Sequence, residues 1–419
     1  MTGEIEVFVE IGGQAAPVGK LFSLRRRNLE SATFLYYPSY LSRPDAYAID
    51  PALPLTSGAI HTAARISLFG AFTDSCPDRW GRTLISRAEV LRAKAAGSAP
   101  RSFGEIDLLL RVRDDLRQGA LRFRDESSPD FQSNDSTGVP VLADLSELLD
   151  IANRAEGDSA AYEDLARLVR AGSSLGGARP KAHVLTDDGR LAIAKFPSSG
   201  SDTWNVMAWE KVALDIARAA GVDVPDSLLL RVAGRSVLII TRFDRSGQNR
   251  FGYLSAMTML EARDGDTRSY LDLAEVIEQS SPSATADLSQ LWRRIALNVL
   301  ISNTDDHLRN HGFLHTSGDS WRLSPAFDLN PNPQPGQKYL STAIDRTDSR
   351  ASINTLLSVR NEFRLTLDAA VTILSEVAYF VSTWRAVATR IGLGKQELES
   401  MKSAFEHDEF KEACRITST

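Results

Sequence analysis

Residues 191–196 read Leu-Ala-Ile-Ala-Lys-Phe, an apolar strand-like run with one lysine set into it. The two-residue period of a strand puts Leu191, Ile193 and Lys195 on one face. An ammonium that shares a face with aliphatic side chains is costly unless an anion or carboxylate meets it, or unless the strand lies at an edge and the lysine snorkels to water. The chain just ahead is glycine-rich, Gly172-Ser173-Ser174-Leu175-Gly176-Gly177-Ala178-Arg179-Pro180-Lys181. Glycines let a backbone approach a ligand and turn several N–H groups into one concavity suited to phosphate. The Walker A pattern fails, because Ala178 and Arg179 follow Gly177, and taken alone the segment reads first as a flexible turn. Beyond the strand, a helix expected over 203–220, opened by Ser201/Asp202 and stopped by Gly221, carries Glu210 among Val206, Met207, Trp209, Val212, Ala213 and Leu214. Glycine loop, strand lysine and helix glutamate in that order predict a Lys195–Glu210 ion pair.

The strongest signal is Asn303-Thr304-Asp305-Asp306-His307-Leu308-Arg309-Asn310. Asp305 and Asn310 are spaced D-x-x-x-x-N, as in a kinase catalytic loop, where the aspartate takes a proton from the substrate hydroxyl and the asparagine holds a metal. Downstream, Ser324-Pro325-Ala326-Phe327-Asp328-Leu329-Asn330 supplies another aspartate after a strand-like run at Trp321–Leu323. These are hard oxygen donors of the kind Mg²⁺ takes alongside phosphate and water. Singly, Asp305 and Asp306 read as helix caps and Asp328 as a turn residue. In order behind Lys195, they read as a phosphoryl-transfer site. A rival uses the same stretch: His307, His311 and His315 fall at i, i+4 and i+8 beside Asp305 and Asp306, a metal face if the segment is helical. Gly312 and the strand-like Phe313-Leu314 argue against a helix there.

The rest of the sequence sets bounds. At 419 residues, the chain has room for two or three domains or subdomains. A net charge of -6 disfavours nucleic-acid binding by bulk charge, and Arg25-Arg26-Arg27 reads either as a solvated face or as a contact to a partner or its DNA. No apolar run approaches the roughly 20 residues that cross a bilayer. An acidic start, MTGEIEVFVEIGG, is unlike an export signal, and two cysteines, Cys76 and Cys414, fit a reducing cytosol. Alternation predicts strands over 5–24 with a Gly12-Gly13 turn, a Lys181–Thr186/Leu191–Phe196 hairpin around Asp187-Asp188-Gly189, and strands at Ser227–Val232 and Ser236–Arg242. Helices are expected at about 79–95 after Pro77-Asp78, at Ser146–Glu156, Tyr162–Arg170 and Thr285–Ile301, and as one long helix over Leu367–Ile391 ended by Gly392. Residues 125–140 read as an exposed linker.

Together these pieces resemble the HipA family, the serine/threonine kinase toxins of bacterial toxin–antitoxin systems, over nearly the whole chain. Ser174–Lys181 looks like the family's phosphate loop, and Ala192-Ile193-Ala194-Lys195 is similar to its ATP-lysine strand. Thr241-Arg242-Phe243-Asp244-Arg245 looks like the hinge, Asn303–Asn310 resembles the T-D-x-H-x-x-N catalytic loop, and Phe327-Asp328 resembles the metal-binding aspartate. The resemblance implies an α+β, two-lobed kinase-like fold, with a mixed subdomain over 1–115, a strand-rich N-lobe over 116–245 and a mainly helical C-lobe over 246–419. It implies ATP and Mg²⁺ as cofactors. Asp305 would be the catalytic base, Asn310 and Asp328 the Mg²⁺ ligands, and Lys195 the contact to the ATP phosphates. Gly176, Gly177, Ala178, Arg179, Pro180 and Lys181 would cover those phosphates, with His307 beside them. Thr241, Arg242 and Phe243 would hold adenine through backbone groups. Ser174 would be autophosphorylated, with Ser173 its neighbouring alternative. A HipB-like DNA-binding antitoxin is the implied partner and an aminoacyl-tRNA synthetase the implied substrate. Two other classes stay open: a catalytically silent nucleotide-binding co-repressor, and a metal-dependent hydrolase built on Asp305, Asp306 and His307.

Overall fold

Ile5, Val7 and Val9 turn inward from the first strand, β1 (Glu4–Ile11), and Gly12 and Gly13, both at positive φ, reverse the chain into β2 (Gln14–Arg26). The computed structural model describes residues 4–26, 29–125, 128–132, 138–172, 177, 179–200 and 202–418. β3 (Leu29–Tyr36), β4 (Ala59–His61) and β5 (Leu121–Asp125) complete an antiparallel sheet of order β4-β3-β2-β1-β5. Because β5 pairs with β1, with Val7 opposite Phe123, this sheet extends past residue 115. Between β4 and β5 runs α1 (Arg79–Ala95), capped by Asp78, whose side chain accepts the Gly81 N–H at 2.7 Å.

The second sheet is preceded by α2 (Leu145–Glu156) and α3 (Tyr162–Arg170) and contains β6 (Lys181–Leu185), β7 (Leu191–Lys195), β8 (Ser227–Val232) and β9 (Arg235–Thr241). Its order is β6-β7-β9-β8, so β7 is an interior strand and the edge reading of its lysine falls. Ala192 and Ala194 face a core shared with α1, α2 and α3, while Leu191, Ile193 and Lys195 line the other face, as alternation requires. Before β8 comes α4 (Val206–Ala219). It starts later than expected, because Asn205 rather than Ser201/Asp202 is its cap, accepting the Ala208 N–H at 3.2 Å. Asp202 instead accepts the Ser198 N–H at 2.9 Å. α4 is buried nearly all round, and Trp209 packs against both Trp384 and Phe405 of the C-terminal part.

Two short pairings follow, β10 (Arg245–Ser246) with β11 (Asn249–Arg250), and β12 (Tyr253–Ser255) with β13 (Gly312–Ser317) and β14 (Ser320–Leu323). The remainder is mainly helical, with α5 (Tyr270–Ser280), α6 (Ala284–Leu300), α7 (Leu367–Ser382), α8 (Trp384–Arg390), α9 (Lys395–Phe405) and α10 (Asp408–Thr417), and an irregular stretch over 324–352. The single helix expected over 367–391 is two. At the break, the Thr383 hydroxyl donates to the Phe380 carbonyl at 2.7 Å, and Trp384 turns to stack on Phe405 at 4.8 Å between centroids. No helix is long and apolar enough to cross a membrane among the described residues.

The segment after β9 is welded to the chain ahead of β5. Arg242 forms a two-pronged pair with Asp244 (2.8 and 2.6 Å) and donates to the carbonyls of Leu116 (2.6 Å) and Arg117 (3.0 Å). Asp244 also accepts from the Gly119 N–H and from Arg245, each at 2.8 Å. Burial alone would raise the Asp244 carboxyl, but the Arg242 and Arg245 guanidiniums outweigh it and hold it well below the usual carboxylate range. Asp244→Ala, which leaves two guanidiniums buried without their anion, should lower stability by about 3–5 kcal/mol in a denaturant titration. The folded pKa lies below the unfolded value of about 3.9. The Asp244 contribution is therefore fully present above that value and is lost as pH falls through the folded one, so the parent should lose stability in acid more steeply than Asp244→Ala.

Candidate active site

Lys195, at the end of β7, projects from the face away from the alanine core. Its Nζ lies 2.6 Å from Glu210 Oε1 of α4 and 2.8 Å from Asp328 Oδ1, which enters from the segment after β14. Exposure rises through the set, with Glu210 at 1 %, Lys195 at 13 % and Asp328 at 29 %, so the cluster opens toward solvent at Asp328. Burial opposes the Lys195 charge, but Asp328 and Glu210 outweigh it and raise its pKa above the usual lysine range. Burial likewise opposes the Asp328 carboxylate, and Lys195 holds it well below its usual range. Burial pushes Glu210 up, with Lys195 pulling the other way. Asp328 sits at φ +59, a left-handed conformation that aspartate tolerates better than most residues, and Asn330 Nδ2 donates to its Oδ1 at 3.1 Å. The Oδ1 of Asn330 is buried with no partner among the described residues. Asn330 has no motif of its own in the sequence, and only its place two residues after Asp328 points to it.

The 303–310 segment leaves α6 through Ser302 at φ +54, and its two neighbouring aspartates part company. Asp306 is buried and accepts hydrogen bonds from the Tyr270 hydroxyl, from Asn298 Nδ2 at 2.5 Å and from His311 Nε2 at 2.9 Å. Asp305 and His307 are exposed. Desolvation raises the Asp305 pKa; His307 opposes this, while the Asp328 and Asp306 charges add to it. Asn310 Nδ2 donates to the Asp305 carbonyl at 2.9 Å, which turns its amide oxygen the other way. The histidine face does not form. His311 binds Asp306 in the interior, and His315, in β13, stacks on Tyr47 at 3.6 Å between centroids. No group of three or more His, Cys, Asp or Glu side chains converges as a metal cage among the described residues.

Of the glycine-rich segment, Gly177, Arg179, Pro180 and Lys181 are described, whereas Ser173, Ser174, Gly176 and Ala178 lie outside the described residues. Arg179 pairs with Asp202, and Lys181 Nζ lies 2.5 Å from Asp78 Oδ2. In the segment expected to be the hinge, the Thr241 N–H donates to the Asp226 carbonyl at 2.8 Å and the Arg242 N–H to the Leu191 carbonyl at 3.0 Å, so neither N–H is free to meet adenine. The Arg242 side chain is turned into the core by Asp244. Phe243 packs on Phe327 at 5.6 Å, which ties the hinge to the residue beside Asp328.

A strand-rich lobe, a helical lobe and a lysine–carboxylate cluster between them define a HipA-like α+β fold. The HipA-like C-terminal domain family model matches residues 173–384, half of the chain, and the protein belongs to that family. HipA of Shewanella oneidensis MR-1, solved with HipB and operator DNA, superposes with a TM-score of 0.67 over 99 % of both chains at 14 % identity. A "Putative kinase" of Haemophilus influenzae is 28 % identical over 143 residues, covering 30 % of this chain and 42 % of its own. "Putative kinase Y4dM" of Sinorhizobium fredii is 26 % identical over 205 residues, covering 42 % of this chain and 50 % of its own. The chain spans about half the length of these curated relatives.

The split between the two aspartates is testable. Asp306→Ala strands Tyr270, Asn298 and His311 in the interior and should lower stability by about 3 kcal/mol. Asp305→Ala, at an exposed position, should stay within about 0.5 kcal/mol of the parent. Calorimetric melting of both variants reads the difference.

Proposed function

We propose that the protein is an ATP- and Mg²⁺-dependent serine/threonine protein kinase, the toxin of a toxin–antitoxin pair. The observation that carries this reading is Lys195 held between Glu210 and Asp328 at 2.6 and 2.8 Å, with Asp305 within electrostatic reach of Asp328. The fold shared with a HipA solved beside HipB and operator DNA supports a HipB-like DNA-binding antitoxin as partner. The curated relatives are named as kinases.

In this reading Lys195 meets the ATP phosphates, and Glu210 keeps its ammonium from swinging away. The donor set suits Mg²⁺: an aspartate held anionic by Lys195, the Asn310 amide oxygen, and the orphan Oδ1 of Asn330 beside Asp328. When bound, the ion neutralises charge on the phosphate oxygens. Asp305, exposed at the mouth, accepts the proton of an incoming serine or threonine hydroxyl as its oxygen attacks the γ-phosphorus and ADP leaves. Positioning and electrostatics supply most of the rate. An aminoacyl-tRNA synthetase is the substrate that the family resemblance suggests, and Ser174 is the candidate for self-modification. The hydrolase alternative loses support because Asp306 is committed to Tyr270, Asn298 and His311.

Incubation with γ-labelled ATP and Mg²⁺ should label the protein or an added substrate. Asp305→Ala should reduce transfer by roughly 10²–10⁴-fold while still binding ATP. ATP binding by the parent with no transfer would favour the silent co-repressor, and metal-dependent activity without ATP would favour the hydrolase. Because the Asp305 pKa is raised, the base protonates at a higher pH than an ordinary aspartate. The acid limb of kcat/KM should therefore lie above about 3.9, with activity falling as pH drops through it.

A further inference from the structure

Two lysines face each other across β6 and β7. Lys181 and Lys195 are directly opposed in the antiparallel register, so both side chains leave the same face of the sheet. Like charges placed this way repel, and water offers little relief, with Lys181 only 4 % exposed. Each lysine is met by an acid at a helix. Lys195 takes Glu210 from the middle of α4, and Lys181 takes Asp78 from the start of α1, at 2.5 Å. Asp78 is itself fixed. Its other oxygen caps α1 through the Gly81 N–H, and Trp80 and Leu84 of that helix pack in one core with Ala182, Ala194 and Phe196. The Trp80 N–H also reaches the Gly177 carbonyl at 3.4 Å. A helix from the first 115 residues thus meets both Gly177 and Lys181.

We propose that Asp78 is a positioning residue for Lys181, holding it where a nucleoside triphosphate arrives, as Glu210 holds Lys195. The inference rests on the kinase reading and gives the N-terminal part a role in the nucleotide site. Its reach is limited to the phosphates, since Asp78 touches nothing at the hinge where a base would lie.

The two duties of Asp78 can be separated. Asparagine caps a helix about as well as aspartate, so Asp78→Asn keeps α1 and removes only the charge. Calorimetric titration with Mg²⁺ present should show ATP affinity falling about tenfold, with adenosine affinity unchanged. KM for ATP should rise by a similar factor with kcat within about threefold, and Asp78→Glu should recover part of the loss. Lys181→Met, which removes the phosphate contact itself, should lose at least as much, and the double variant no more than Lys181→Met, because Asp78 acts through that lysine. Asp78→Ser, another capping residue, serves as a second charge-free variant, with melting curves for each. ATP binding equal to the parent in the charge-free variants would overturn the proposal. So would equal losses of ATP and adenosine, additive effects of the two single substitutions, or loss of the fold in both variants. Failure of the parent itself to bind ATP would instead remove the kinase reading, and the proposal with it.

Discussion

One ammonium between two carboxylates organises this molecule. Lys195 lies 15 residues from Glu210 and 133 from Asp328, and all three must converge for any of them to be buried as ions. An ion taken out of water without its partner is far more costly than a correctly paired one. Strand β7, helix α4 and the segment after β14 are therefore tied to one another by charge as well as by packing. The graded exposure of the three groups leaves one side of the cluster open, the side on which the proposed triphosphate and its cation would lie.

The surrounding structure keeps this cluster and its neighbours in register. α4 is buried on nearly every side, anchored by Trp209 against Trp384 and Phe405, so Glu210 has little freedom to retreat. The Arg242–Asp244–Arg245 group binds the hinge to residues 116–119 through carbonyls and an N–H, which joins the first sheet to the second. In the helical part, Asp306 serves as an internal post for Tyr270, Asn298 and His311, and this leaves Asp305 presented outward on a loop that is held from behind. Two adjacent residues of one type thus take opposite places, Asp306 in the interior and Asp305 at the surface.

Much of this was legible in the sequence, for identifiable reasons. A lysine on an apolar strand demands a counter-charge, and the next helix offered one glutamate in an apolar setting, so the Lys195–Glu210 contact could be anticipated. Hairpins marked by Gly12-Gly13 and Asp187-Asp188-Gly189 were equally readable, because the turn chemistry is local. What escaped was decided by distant partners. Nothing near Arg242 says that its guanidinium turns inward to the carbonyls of Leu116 and Arg117, well over 100 residues away. The break at Thr383 follows from Trp384 seeking Phe405 rather than from a weak helical pattern. Asp78 reads as an ordinary helix opener until Lys181, 103 residues later, is seen to rest on it.

In the proposed reading, a triphosphate and its divalent ion occupy the open side of the Lys195 cluster. A crystal structure grown with a non-hydrolysable ATP analogue and Mn²⁺ tests it directly, because the anomalous signal of manganese locates the ion independently of the surrounding density. An anomalous peak is expected about 2 Å from oxygens of Asp328 and Asn310, with the phosphates against Lys195. Manganese bound away from Asp328, or a nucleotide lying outside the cleft between the two lobes, would contradict it.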